Sequence, residues 1–227
     1  MPADRVTSYS PWHVVLILDD SNSMNGEPIE IVNTAVRGMI EEMVLLSGGM
    51  KPYFRLSIVK FGTTAELLCE YVSERDVDLA KVAALEGKSG ATNAAAALDI
   101  AREVLERHPG KDSDFEPFVF FFSDGAPFDG TSDTASRAAA IRSGERLKQL
   151  KLHSGEVRLI TVGFGKVDHA FMGDLASKRG GEPRYKPLNN VKQLFDWFPD
   201  IGTIAASQSA PSGTSAAQAV EDRIMNL

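Results

Sequence analysis

Oxygen-bearing side chains stand in three short clusters along the chain, and together they have the chemistry of a metal site. The candidate ligands are two carboxylates and three hydroxyls: Asp19, Ser21, Ser23, Thr92 and Asp124. The set contains no thiol and no imidazole. Hard oxygen donors of this kind predict a hard divalent cation, with Mg²⁺ ahead of Mn²⁺ or Ca²⁺.

Each cluster also has an ordinary structural explanation. Asp19 and Ser21 follow an apolar run, where such residues commonly cap a helix. Thr92 stands just before a predicted helix, and the segment Ser123-Asp124-Gly125 is a common turn sequence. The D-x-S-x-S spacing within one loop, followed in order by the other two clusters, favours a shared metal site over three unrelated caps and turns.

The elements that must position these residues alternate between strands and helices. Residues 14–18 and 118–122 are continuous apolar runs, typical of strands buried on both faces. Further strands are predicted at 54–61, 66–73, 157–162 and 184–187. Helices are predicted at 26–47, 94–107, 133–152, 168–178 and 191–207.

This alternation predicts an α/β fold with a doubly wound, mostly parallel central sheet and helices on both faces. The short turn between residues 54–61 and 66–73 predicts a hairpin, so one edge strand is antiparallel. In such sheets, ligands bind at the carboxyl ends of the strands. All three polar clusters fall at loops of this kind.

Domain organisation follows from composition along the chain. Residues 1–11 are predicted to be an N-terminal extension, 12–207 the folded domain, and 208–227 a tail rich in Ser and Ala. Within this tail, 220–227 is compatible with one further turn of helix, to which the sequence assigns no role.

Charge and cysteine content narrow the classes of function. The chain has 227 residues and a net charge of −7, which argues against a nucleic-acid partner. With Cys69 as its single cysteine, the chain has no intrachain disulfide and no thiolate zinc cluster. No apolar run approaches the ~20 residues of a membrane span, and residues 1–12 lack a signal-peptide core. We therefore expect a cytoplasmic protein that is monomeric by itself.

The order D-x-S-x-S, then Thr, then Asp resembles the metal-ion-dependent adhesion site of von Willebrand factor A (VWA) domains. Residues 19–29 and 123–129 are similar to the bacterial tellurium-resistance-associated, TerY-like group of that family. The resemblance covers about residues 12–207. It implies direct coordination by Ser21 and Ser23, with Thr92, Asp19 and Asp124 binding directly or through water.

The resemblance also implies a function. A protein partner would donate Asp or Glu to the metal. The last helix, predicted here at 191–207, would either move when the metal ligands change or act as a fixed packing helix.

Two positions depart from the family pattern, since Asn22 and Ala91 stand where Gly is usual. Asn tolerates a left-handed backbone better than most residues, so Ala91 is the departure with the greater consequence for the Thr92 loop.

Two alternatives to a metal-dependent binding module remain open. In a phosphotransferase of the haloacid-dehalogenase type, Asp19 would be the nucleophile, but Ser21 stands where the second carboxylate belongs. No lysine motif, nucleophile elbow or P-loop completes an active site, so we expect no enzyme activity. The other alternative is a VWA scaffold without metal.

We expect Asp20 to face solvent, or else to strengthen the attraction of a cation. The basic residues between 137 and 151 are expected to form a solvated helix face or, less simply, a partner surface.

Overall fold

The computed structural model describes residues 10–48, 53–165, 167–188, 193 and 216–226. Its centre is a six-stranded sheet. The strands are β1 (Trp12–Asp19), β2 (Phe54–Phe61), β3 (Ala65–Ser73), β4 (Phe115–Ser123), β7 (Arg158–Gly163) and β10 (Tyr185–Pro187). Their order across the sheet is β10-β7-β4-β1-β2-β3, and only β3, at one edge, runs antiparallel to its neighbour.

Helices cover both faces of this sheet. They are α1 (Glu27–Leu46), α2 (Leu79–Val82), α3 (Ala94–Arg107), α4 (Asp133–Lys148), α5 (His169–Leu175) and a C-terminal helix (Ala216–Asn226). Successive side chains of β1 point to opposite faces, so Val14 and Leu16 pack with α1 and the C-terminal helix. Val15 and Ile17 pack with α3, α4 and α5. The predicted doubly wound α/β fold with one antiparallel edge strand is confirmed.

Two predicted helices are shorter than expected because hairpins follow them. The helix predicted to reach residue 152 ends at Lys148, and the chain then forms a hairpin from β5 (Lys151–Leu152) and β6 (Gly155–Glu156). The helix predicted to reach residue 178 ends at Leu175, before a hairpin from β8 (Lys178–Arg179) and β9 (Glu182–Pro183). Left-handed Gly180 and Gly181 form the second turn, which helical periodicity cannot reveal.

The basic face predicted on α4 is largely occupied within the chain. Arg137 pairs with Asp168 and Asp174, and Arg146 pairs with Asp99. Lys148 donates to the carbonyl oxygens that end α5. These cations therefore brace helices against each other, and we assign no partner surface to them.

The C-terminal helix lies where the sequence predicted a tail. Its residues Ala217, Val220 and Ile224 are buried in the same apolar cluster as α1. Their spacing of three and four residues is helical, although the Ser- and Ala-rich composition before them concealed it. The helix predicted at 191–207 falls almost entirely outside the described residues, as does most of the predicted extension. Among the residues that the structure describes, no helix is long and apolar enough to cross a membrane.

Candidate metal centre

The site begins where β1 and β4 end side by side. These strands are parallel, with Leu18 opposite Phe122, so the next residues on both emerge at the same edge. Ser123 Oγ donates a hydrogen bond of 2.5 Å to Asp19 Oδ2, and the Ser21 amide donates one of 2.9 Å to Asp19 Oδ1. Asp19 is fully buried. Both of its oxygens are therefore held in fixed positions at the base of the site.

A chain of hydroxyls links this aspartate loop to the second carboxylate. Ser21 Oγ lies 3.1 Å from Ser23 Oγ, and Ser23 Oγ donates to Asp124 Oδ1 at 2.8 Å. Asp19 and Asp124, far apart in sequence, thus belong to one hydrogen-bonded network. The structure brings together four of the five predicted ligands through these contacts alone.

The prediction that Asp20 faces solvent is wrong. Its side chain is buried and accepts hydrogen bonds from the amides of Glu86 and Gly87 at 2.9 and 2.7 Å. The Ser89 hydroxyl donates to its other oxygen at 2.5 Å. The reason is that the segment before Thr92 folds back over the Asp19 loop, where its backbone amides need hydrogen-bond acceptors. Asp20 supplies these acceptors. Asp20 therefore fastens the Thr92 loop to the Asp19 loop.

The two departures from the family pattern have a structural explanation. Asn22 is not left-handed; its Oδ1 accepts from the Gly90 amide at 3.0 Å, and its own amide donates to Gly90 O at 2.9 Å. Gly90 itself carries the positive φ of +85°, and a Cβ there would lie 2.3 Å from Thr63 Oγ1. The conformational need for glycine thus falls on Gly90. Ala91 fits because its amide donates to Thr63 Oγ1 at 3.0 Å.

Thr92 reaches the site through a bridge to the third loop. The Thr92 amide donates to Phe128 O at 2.7 Å, and the Phe128 amide donates to Thr92 O at 3.0 Å. Thr92, Ser23 and Asp124 line one cavity of about 520 Å³. All five predicted ligands therefore meet at one edge of the sheet. Ser123 was not among the predicted site residues, although its place at the end of β4 was a usable signal.

The carboxylates of the site are buried without a cationic neighbour among the residues that the structure describes. Burial raises the pKa of Asp19 to about 7, although hydrogen bonds from Ser123 and Ser21 lower it in part. Burial also raises the pKa of Asp124. No Lys, Arg or His in the described part of the chain contributes to either pKa. Carboxylates in this situation gain most from a bound cation, so the residues present fit a divalent ion.

Hydroxyl oxygens are necessary to complete any such donor set. Across the described ranges, no group of three or more His, Cys, Asp and Glu side chains is placed to hold a metal. The phosphotransferase alternative gains no support, because no lysine or histidine from the described residues lines the cavity. Ser21 stands where a haloacid-dehalogenase site has its second carboxylate, and its hydroxyl is hydrogen-bonded to that of Ser23.

Comparison with known proteins agrees with this architecture. The chain is 25% identical over 207 residues to inter-alpha-trypsin inhibitor heavy chain H4 of Sus scrofa, covering 88% of this chain and 21% of that protein. It is 26% identical over 201 residues to an uncharacterized protein of Synechocystis, covering 85% and 43%. The chain thus spans less than half the length of either curated relative.

A solved structure shows the same fold. The vWF domain of the type V pili tip protein Mfa5 from Porphyromonas gingivalis matches with a TM-score of 0.64 and 14% identity, over 92% of this chain and 99% of that one. In addition, residues 13–197 match the family model of the von Willebrand factor type A domain. Since that match includes most of the chain, this protein belongs to the von Willebrand factor A family.

Proposed function

We propose that this chain is a metal-ion-dependent protein-binding module with an adhesion-type site. Five residues would hold one Mg²⁺, or Mn²⁺ or Ca²⁺ in its place: Asp19, Ser21, Ser23, Thr92 and Asp124. The observation that carries the proposal is the hydroxyl network of Ser123, Ser21 and Ser23, which contacts two buried carboxylates while no described cationic side chain neutralises them. When bound, the ion supplies positive charge and an open coordination position for an Asp or Glu of a protein partner.

The burial of the ligands supports a defined direction of approach. Asp19 is 0% exposed and lies beneath the site, whereas Ser23 is exposed and lines the cavity together with Thr92 and Asp124. A partner would therefore enter from the cavity side while Asp19 holds the site from the sheet. Asp20 and Asn22 support this division because they fix the Thr92 loop over the first loop.

The proposal includes no catalytic step. The hydroxyls are assigned as ligands, and the chemistry of phosphoryl transfer needs a positioned nucleophile or base beside them. We therefore expect no phosphatase or ATPase turnover above background. On the resemblance of residues 19–29 and 123–129 to TerY-like proteins, we further propose a place in a bacterial tellurium-resistance or stress-response system.

Calorimetric titration with Mg²⁺ tests the site. The wild type is expected to bind one ion per chain, and Asp19→Asn is expected to weaken binding by about 100-fold, equivalent to ~2.7 kcal/mol. Asp129→Asn is the matched control, because Asp129 is near Asp124 in sequence but bonds to Thr131 and Ser136. Equal Mg²⁺ affinity in wild type and Asp19→Asn would show that the site is misassigned.

A further inference from the structure

A large aromatic side chain stands unburied next to the candidate metal centre. Among the described residues, the exposed large hydrophobics are Leu45, at 71%, and Phe128, at 42%. Phe128 belongs to neither of the two apolar clusters that form the core of the described structure. Single exposed hydrophobics are common, so exposure by itself assigns no role. The position of Phe128 is what distinguishes it.

The backbone bridge determines where the Phe128 ring lies. Thr92 and Phe128 exchange both amide-to-carbonyl hydrogen bonds and form an antiparallel bridge. Residues directly opposite each other in such a pair place their side chains on the same side. Thr92 lines the cavity of the metal centre. The Phe128 side chain therefore leaves the bridge on the same side as that of Thr92, next to a residue that lines the cavity.

The segment that carries Phe128 is held on both sides. The Thr92 bridge fixes residue 128 itself. The next residue, Asp129, donates its amide to Ser136 Oγ at 3.0 Å and accepts from the Thr131 amide at 3.0 Å. An aromatic ring on a backbone that is already ordered loses little further freedom when a ligand covers it. This is the property expected of a contact residue.

The described residues of the cavity wall, apart from the candidate ligands, are uncharged. They are Pro28, Gly125, Ala126 and Gly165. Within this described wall, a bound ion would be the charged point of a surface that is otherwise small and apolar. A partner that fits this surface has one carboxylate and an apolar side chain beside it.

We propose that Phe128 is a specificity residue, and that the partner presents an Asp or Glu with a large aliphatic or aromatic residue adjacent to it. This inference rests on the proposed function and names the chemistry of its partner. Covering the exposed face of the ring is expected to strengthen binding roughly tenfold, from the area term for apolar burial.

Three capped peptides test the proposal on the full chain with Mg²⁺. The reference peptide is Gly-Gly-Glu-Gly-Gly, and the other two place Phe after or before the Glu: Gly-Gly-Glu-Phe-Gly and Gly-Phe-Glu-Gly-Gly. Affinity is measured by NMR titration of amide shifts, because short peptides bind weakly. Wild type is expected to bind one of the Phe peptides about tenfold more tightly than the Gly peptide. Phe128→Ala is expected to remove this preference, and Phe128→Leu to retain part of it.

The control is Leu45→Ala, which removes the other exposed hydrophobic side chain and should leave the preference intact. Mg²⁺ affinity by calorimetry should be the same in wild type, Phe128→Ala and Phe128→Leu, which also verifies that the loop still folds. Bound Mg²⁺ with equal affinity for all peptides would overturn the role of Phe128 while leaving carboxylate binding intact. Bound Mg²⁺ with no peptide binding at all would contradict the proposed function, and this inference with it.

Discussion

Two acidic clusters lie at opposite ends of the same sheet, and the described residues neutralise the charge of only one of them. At the amino ends of β4 and β7, Arg158 donates to Glu116 at 2.8 Å and to Glu221 at 2.7 Å. Arg184 and Arg179 complete the cluster through Asp222. Glu221 is 2% exposed, yet its charge is matched within the chain.

At the carboxyl ends, Asp19 and Asp124 are also buried but bond only to hydroxyls and amides within the described structure. A charge-matched cluster holds elements together, here the C-terminal helix against the sheet. A cluster with unmatched charge is costly unless protons or a cation neutralise it. The difference separates a structural network from a candidate binding site more clearly than burial does.

The largest effect on the free energy of unfolding is expected when a carboxylate is removed from the cluster whose charges are paired. Glu221→Ala should lower the free energy of unfolding by about 3 kcal/mol, because it removes a largely buried carboxylate that pairs with both Arg158 and Arg184 and leaves them only Glu116 and Asp222. Urea denaturation measures the change. Glu156→Ala is the control: Glu156 lies near the same cluster but is exposed, so its loss should cost less than about 0.5 kcal/mol. Similar losses for both would remove the distinction between the two clusters.

The unmatched cluster should respond to pH in the opposite direction from ordinary carboxylates. Burial raises the pKa of Asp19 from 3.8 to about 7, so the folded metal-free protein keeps a proton that the unfolded chain has released. Its stability should therefore fall as pH rises between these values, by about 1.4 kcal/mol per pH unit, or ~2 kcal/mol from about pH 5.5 to 7.

Denaturation in EDTA, compared between wild type and Asp19→Asn, isolates this contribution. The comparison is needed because burial lowers the pKa of His13 from 6.5 to about 3. Through His13, the free energy of unfolding falls as pH drops below 6.5 in both proteins. The difference in unfolding free energy between the two proteins should grow with pH in EDTA, and saturating Mg²⁺ should reverse it. A difference that does not vary with pH would place the Asp19 pKa near its ordinary value.

A smaller effect is expected from crowding the Thr92 loop. Gly90→Ala should cost about 1–3 kcal/mol and weaken Mg²⁺ binding, because it combines a left-handed φ with a contact of 2.3 Å to Thr63 Oγ1. Gly180 has a φ of +59° with open space around it, so Gly180→Ala reports the cost of the backbone alone. Thermal denaturation and Mg²⁺ titration of both variants separate the two causes. Unchanged Mg²⁺ affinity in Gly90→Ala would mean that this loop does not position a ligand.

The smallest effect is expected at Asn22. Asn22→Gly introduces the residue that is usual in the family and removes one hydrogen bond to the Gly90 amide, so the free energy of unfolding should fall by about 1 kcal/mol. Asn22→Ser shortens the side chain without adding the flexibility of Gly and should show a similar loss. If neither variant is less stable than wild type, the hydrogen bond from the Gly90 amide to Asn22 contributes nothing to the free energy of unfolding.

Much of this arrangement was predictable because it is local or periodic. Continuous apolar runs identified β1 and β4, and their ends located Asp19, Ser21, Ser23 and Asp124. The boundaries of α3 were predicted to the residue, since the Asn93 cap and the apolar spacing both mark it. Helix ends before hairpins were missed, because two-residue strands are too short to show a period.

The sequence by itself determined the strand–helix alternation and the chemical nature of the candidate ligands, since both depend on residue type and spacing. Only the tertiary structure decided which acids have a cation beside them. Asp20 reads like Asp19 along the chain, yet it bonds to amides of a loop more than sixty residues away. Glu221 lies in a segment predicted to be a tail, yet it accepts a hydrogen bond from Arg158, which is more than sixty residues away in sequence. Charge matching depends on distances through space, and residues remote in sequence set those distances only once the chain has folded.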